Sequence, residues 1–462
     1  MLGWRIMSQG EYDVGLPVLS KDEEELILAT ETRFKEATRS HRAGSKAESD
    51  ALVGALLETV AKEKGLYLDE HQNDYLKRIA AMHIHGFAFM EPILSDPSIE
   101  EVSVIGPGKP VHVYIRKTGW KAVNACFENE KAICDMINRM SRGLGRHITM
   151  QNPRLDAMLP DGSRLHASLP PVSLGEITLR RFRDNPFSPR ELAENGTISA
   201  EALAFLSALM QCDCSLLIAG NTASGKTTTL NALFSFIPGN ERVIITEETP
   251  ELSLPHEHQM RLVANRDMGI TLKDLVYDTL RMRPDRMVVG EVRNKDETEA
   301  LFDVLLAGQA RGSYATFHAQ SAHEAISRLE SFGARRDDLS SIDCIVVQRR
   351  MLSYDPVKRA NSEVRRVVEI ADVGEMIRGN RGGGDSGERS GGNDCGNCGV
   401  LYAPGKRIVH SSLLGRMAAS FGLSRKGMIG ELRRRERVIM EADPDYHGFY
   451  RTVQKDFFAL GW

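Results

Sequence analysis

The sequence predicts an α/β fold in two parts: a small N-terminal α+β domain, then a larger core built around a phosphate-binding loop. Three observations predict it. First, Gly220-Asn-Thr-Ala-Ser-Gly225-Lys226-Thr227 fits the pattern G-x-x-x-x-G-K-[ST]. The apolar run Ser215–Ala219 before it reads as a buried strand. Thr228–Phe234 after it reads as a helix, stopped by Pro238-Gly239. Second, two more apolar runs end in acids, at Glu247–Glu251 and at Glu291. Carboxylates at strand ends suit an α/β sheet that binds ligand there. Third, residues 91–185 read as short strands punctuated by glycine turns rather than as alternating strands and helices.

The remaining segments follow in order. Residues 1–90 are expected to be a helical N-terminal extension. Asp22–Glu25 precede Leu26-Ile27-Leu28, and Val53, Leu56, Leu57 and Val60 recur at helical spacing. Residues 91–185 form the α+β domain, with strands at Ile99–Ile105, Val111–Ile115 and Ile177–Phe182 and a helix from Ala132 to Met140. Between them Arg154 and Arg164 bracket a tight Pro160-Asp161-Gly162 turn. Residues 186–198 are a polar linker, 199–373 the phosphate-loop core, 374–399 a glycine-rich loop, and 400–462 a basic tail read as helical and solvated.

Composition narrows the class. With 462 residues the chain has room for two or three domains with cores of their own. A net charge of −4 gives no whole-chain case for nucleic acid. No basic stripe with interleaved aromatics is present either. Seven scattered cysteines favour a reducing cytoplasm over a disulfide framework. Cys395-Gly-Asn-Cys398 matches half of a zinc site with no second pair; it reads as an incidental pair, and metal binding there would need two chains or other ligands. No apolar run reaches the length of a membrane span, and Met1-Leu-Gly-Trp-Arg lacks the core of a signal peptide. Any membrane role is therefore expected to run through a partner.

The phosphate loop carries the chemistry. Gly220, Thr222, Ser224, Gly225, Lys226, Thr227 and Thr228 are the candidate nucleotide-binding residues. Loose backbone N–H groups at a helix start face the anion, and Lys226 is placed for the outer phosphates. Thr227 offers a hydroxyl to magnesium, a hard ion that prefers oxygen. Glu247, Glu248 and Glu251 either orient water and hold magnesium through water, or form a polar loop after a strand. Glu291 either polarises an attacking water or starts a helix after a core strand. Tyr314–Phe317 reads as a strand delivering Thr316 and His318 to its end, where a neutral histidine could sense a terminal phosphate. No guanine-type Asn-Lys-x-Asp run exists; Asn294-Lys295-Asp296-Glu297 has glutamate in fourth place.

Over residues 91–373 the chain resembles the secretion ATPases of type II and type IV systems, which include pilus and archaellum assembly motors. Gly220–Thr227 matches the family's phosphate loop, and Glu247–Glu251 resembles its acidic box. Gly290-Glu291-Val292-Arg293 matches its second motif, and Thr316, His318 and Ala319 its histidine box. The Arg154–Arg164 segment and Arg180 resemble its N-domain arginines.

The resemblance implies a RecA-like core in a hexameric ring, with ATP and magnesium as cofactors. Arg164 and Arg180 would approach the phosphates. Glu291, Glu251 and His318 would be catalytic, and Thr227, Glu247 and Glu291 would lie on the metal side. It also implies a cytoplasmic motor held peripherally at a membrane platform protein, acting on pilin-like or secreted substrates. Glu248, Ala223 and the missing double Cys-x-x-Cys module depart from the bacterial type II pattern. These departures point to the archaeal or tight-adherence branch. The alternatives are an archaellum motor, a DNA-translocating ring, and a non-catalytic nucleotide-gated scaffold.

Overall fold

The computed structural model describes residues 2–39, 45–116, 118–183, 185–265, 268–308, 310–357, 359–379, 399–403 and 411–459. Asp184 at the start of the connector, Gln309 before the histidine box, and the glycine-rich run with Cys395 and Cys398 lie outside them. The chain divides into two units, Met1–Phe182 and Arg183–Trp462.

The first unit runs β1 (Trp4–Ile6), α1 (Lys21–Thr38), α2 (Lys46–Glu63), α3 (Glu70–Ile84), α4 (Met90–Ser95), β2 (Ile99–Val104), β3 (Pro110–Ile115), β4 (Gly119–Phe127), α5 (Glu130–Ser141), β5 (Arg154–Met158), β6 (Arg164–Ser168) and β7 (Glu176–Arg180). Its sheet is antiparallel throughout, in the order β1-β4-β3-β2-β7-β6-β5. The acids before Leu26 belong to a capping box, in which Ser20 and Glu23 satisfy each other's backbone N–H groups.

Residues 1–90 differ from the expected all-helical extension. Trp4 and Ile6 turn inward from β1, which pairs with β4. Leu26, Val53, Leu57, Leu76 and Ile79 bury in the same core as Val102, Val113 and Leu179. Helices with one apolar stripe need a partner face, and this sheet supplies it.

The second unit runs α6 (Pro189–Glu194), α7 (Ala200–Gln211), β8 (Leu216–Gly220), α8 (Lys226–Leu233), β9 (Val243–Glu247), β10 (Gln259–Val263), α9 (Leu272–Thr279), β11 (Arg286–Val292), α10 (Lys295–Ala307), β12 (Gly312–Phe317), α11 (Ala322–Ser331), β13 (Cys344–Asp355), β14 (Ala360–Asp372), α12 (Val373–Gly379), β15 (Val400–Tyr402), α13 (Ser412–Ser420), α14 (Arg425–Glu441) and α15 (Tyr446–Phe458). The strand order is β10-β9-β11-β12-β8-β13-β14-β15. The first six in that order are parallel, and β14 and β15 close the edge antiparallel.

Both faces of this sheet are covered, which explains its continuous apolar strands. In β8, Leu216 and Ile218 enter one core, while Leu217 and Ala219 enter the other. The basic tail is not solvated as expected. Arg435 is buried, donating to Ser207 Oγ (3.2 Å), Gln211 Oε1 (2.7 Å) and Glu431 Oε1 (2.8 Å), with its guanidinium over the Phe421 and Phe457 rings. A guanidinium whose donors are met and whose faces stack on rings can leave water. Further along, Tyr446 donates to the Asn231 carbonyl (3.0 Å). Gln454 accepts from Gly239 N (2.8 Å) and donates to the Ile237 carbonyl (2.9 Å).

Candidate functional site

The loop between β8 and α8 is fixed by two glycines with different tasks. Gly225 caps α8 at φ +94°, a left-handed conformation that other L-residues resist. Gly220 has ordinary angles but no room: a Cβ there would lie 2.1 Å from the Gln348 carbonyl oxygen. Lys226 is buried, and its Nζ donates to the carbonyls of Gly220 (3.3 Å) and Asn221 (3.4 Å). Ser224 Oγ is buried without a hydrogen-bond partner in the protein. Thr222 is exposed at the rim and Thr228 partly buried in the first turn of α8. A cradle of backbone N–H groups, a buried lysine and an unsatisfied hydroxyl fit an anionic phosphate group.

Thr227 Oγ1 donates to Glu251 Oε2 (3.3 Å). This hydroxyl and carboxylate are the oxygen donors at the loop that fit a hard divalent ion. Glu247 sits behind them. It is buried, its Oε1 accepts from the backbone N of Glu251 and Leu252 (2.9 Å each), and Oε2 lies 3.2 Å from Arg261 Nε. Burial raises its pKa, a shift the backbone donors and Arg261 only temper. Here Glu247 shapes the loop that presents Glu251.

The ends of β11 and β12 form a second cluster. Gly290 packs on Glu247, whose Cγ would be 2.9 Å from a Cβ at 290, so the strand crossing itself demands glycine. Glu291 next to it has both oxygens engaged. Oε1 lies 2.6 Å from His318 Nε2, and Oε2 accepts from Arg293 Nε (2.6 Å). Arg293 also pairs with Glu248, and its backbone N donates to Glu297 Oε2 (2.6 Å). Burial pushes the Glu291 carboxyl up, but the His318 hydrogen bond and the Arg293 charge outweigh it and hold the pKa at about 2. Thr316 points elsewhere: its hydroxyl donates to the Gly290 carbonyl (2.6 Å) and ties β12 to β11.

The structure thus gathers the expected residues into two clusters, Thr227–Glu251 beside Glu247, and Glu248–Arg293–Glu291–His318. In the first unit, Arg164 and Arg180 face each other across the β6–β7 ladder, and Arg164 lies 3.8 Å from Asp156. Two residues were missed by the sequence reading. Gln348 is buried beneath the loop and accepts from Thr229 Oγ1 (2.6 Å). Asn221 clasps Arg350, accepting from its N (2.9 Å) and donating to its carbonyl (3.1 Å). Cys344-Ile-Val-Val-Gln348 carries the available signal, an apolar strand ending in a polar residue, as at Glu247 and Glu291.

A largely parallel sheet with strand, glycine loop and helix at its centre defines an α/β protein of the phosphate-loop class. Its sequence matches the model of the family described as Type II/IV secretion system protein over residues 84–413, and the chain belongs to that family. It is 34% identical over 311 residues to an uncharacterized protein of Methanocaldococcus jannaschii, covering 65% of this chain and 55% of the relative. The chain thus spans about half the length of that relative. It is 30% identical over 339 residues to the type IV secretion system protein VirB11 of Bartonella quintana, covering 59% of this chain and 93% of that one. Among solved structures, the ATPase DotB of Legionella pneumophila is 19% identical, with a TM-score of 0.47 over 64% of this chain and 84% of that chain.

Proposed function

We propose that this chain is an ATP-hydrolysing motor that drives pilus-like assembly or protein secretion through a membrane platform, as a hexameric ring. The observation that carries the reading is the Thr227–Glu251 pair at the foot of a glycine-shaped loop whose lysine is already buried. In this reading the loop amides and Lys226 hold the phosphates, and Thr227 and Glu251 face magnesium. The ion supplies charge neutralisation at the transferring phosphate when bound. Glu291 orients the attacking water. While His318 and Arg293 stay bonded to it, the carboxylate is a weak base, so release from these partners is what makes Glu291 fit to accept a proton. Among the described residues no helix is long and apolar enough to cross a membrane, which is compatible with a peripheral attachment.

The test is steady-state ATP hydrolysis by the purified chain, run with light scattering for mass, beside Glu291→Gln. Glu291→Gln is expected to keep nucleotide binding and lose about 10²–10⁴-fold in turnover. Turnover near that of the unmodified chain would remove Glu291 from the mechanism. A monomer without hydrolysis in the unmodified chain would refute the motor.

A further inference from the structure

We infer that Gln348 is a positioning residue for nucleotide binding, a side chain that sets the shape of the phosphate loop. This rests on the reading of that loop as a nucleotide site. In the β13–β8 ladder Gln348 lies opposite Gly220, the first residue of the loop. Its carbonyl oxygen closes the space behind Gly220, 2.1 Å from where a Cβ would stand. Its side-chain Nε2 lies against Gly225, the last loop residue, 2.9 Å from where a Cβ would stand there. Its Oε1 accepts from Thr229 Oγ1 (2.6 Å) in the first turn of α8. One residue therefore touches the entry of the loop, its exit, and the helix that follows.

An amide suits these contacts because it accepts from Thr229 on one arm and packs its other arm against Gly225, without a net charge. A carboxylate would keep the acceptor for Thr229. It would also turn an anion toward the place where phosphate oxygens must sit. An apolar side chain of equal length would fill the space but leave the buried Thr229 hydroxyl without its acceptor. Two residues along, Asn221 grips Arg350 by its backbone N and carbonyl, so the same strand end also anchors the second loop residue. The loop leans on β13 rather than standing alone. The backbone of β13 supplies the wall, and the Gln348 amide supplies the register.

The experiment is titration of the full chain with a fluorescent ADP analogue from pH 5.5 to 8.5, with thermal melting in parallel. It compares the unmodified chain with Gln348→Met, Gln348→Glu and Lys226→Ala. Gln348→Met is expected to weaken binding about ten-fold at every pH. Gln348→Glu, nearly isosteric, is expected to bind worst at pH 8.5 and to approach the unmodified chain at pH 5.5. Burial raises the pKa of the new carboxyl, and its protonated form turns no charge toward the phosphates. A folded Gln348→Met that binds like the unmodified chain, or a Gln348→Glu whose deficit does not change with pH, would overturn the inference. If the unmodified chain does not bind the analogue, or Lys226→Ala binds it equally well, the nucleotide reading itself fails.

Discussion

Replacing either loop glycine by alanine adds one methyl group, yet the two changes should differ in kind. At Gly225 the backbone is left-handed, at φ +94°. An L-residue there costs about 1–2 kcal/mol. The nearest atom, Gln348 Nε2, lies 2.9 Å from that Cβ and must give way with the amide that Thr229 holds. The strain falls on the loop and the amide packed against it, so the phosphate-ready conformation should lose roughly 5–30-fold in population, at about 1.4 kcal/mol per factor of ten. Affinity for a fluorescent ADP analogue should fall by the same factor, with little change in melting temperature.

At Gly220 the obstacle is a carbonyl oxygen fixed in the β8–β13 ladder, and the added Cβ would also lie 2.5 Å from Ser224 Oγ. Neither strand can yield without breaking pairing, so Gly220→Ala should cost about 1–3 kcal/mol of fold stability as well as binding. Parallel titration and melting of both variants decide it. If Gly225→Ala binds within two-fold of the unmodified chain at an unchanged melting temperature, the left-handed cap is not what prepares the loop. If Gly220→Ala leaves both quantities unchanged, the close approach to Gln348 has been misjudged.

Two further outcomes are expected. His256 is buried between the Phe234 and Tyr450 rings, and burial pulls its pKa down to about 4, which the nearby backbone of Ile237 and Pro238 only softens. The unfolded chain binds that proton first as pH falls below about 6.5, so stability should drop by about 2 kcal/mol between pH 7 and pH 5. Urea unfolding of His256→Phe should show a flatter pH dependence; an unchanged slope would place the titration elsewhere. Arg164→Ala and Arg180→Ala should each lower ATP turnover at least several-fold if these arginines serve the phosphates, and full hydrolysis rates in both variants would assign the ladder-facing pair a structural role.

The legible part of the molecule was the part that repeats a local rule. Gly220–Thr227 sits between an apolar strand and a helix, and that succession is written in consecutive residues. The same holds for the strand ends at Glu247, Glu291 and His318, and for the Pro160-Asp161-Gly162 turn joining β5 to β6. What stayed hidden depends on partners far along the chain. Trp4–Ile6 is too short to declare itself a strand until β4 lies beside it. Arg433-Arg434-Arg435 looks like a solvated charge run, because nothing local announces that Arg435 meets Ser207 and Gln211 more than two hundred residues earlier. The division of labour among the acids was also out of reach. Only the fold shows that Glu247 is spent on the backbone of Glu251 and Leu252, while Glu251 reaches Thr227.

The docking of α15 also bears on how the second unit comes into being on the ribosome. Asn231, Ser235, Ile237 and Gly239, which close the helix after the phosphate loop, find their partners in Tyr446 and Gln454, some 215 residues later. At about 5–20 residues per second, roughly 10–40 s of synthesis separate the two. Through that interval Phe236 lacks Phe449 and Phe457, the rings it packs on in the finished unit. The nascent chain must carry an apolar patch beside its loop until the last helix emerges. Truncation within α15 should therefore yield chains that chaperones retain, even though every motif of the candidate site has already been translated.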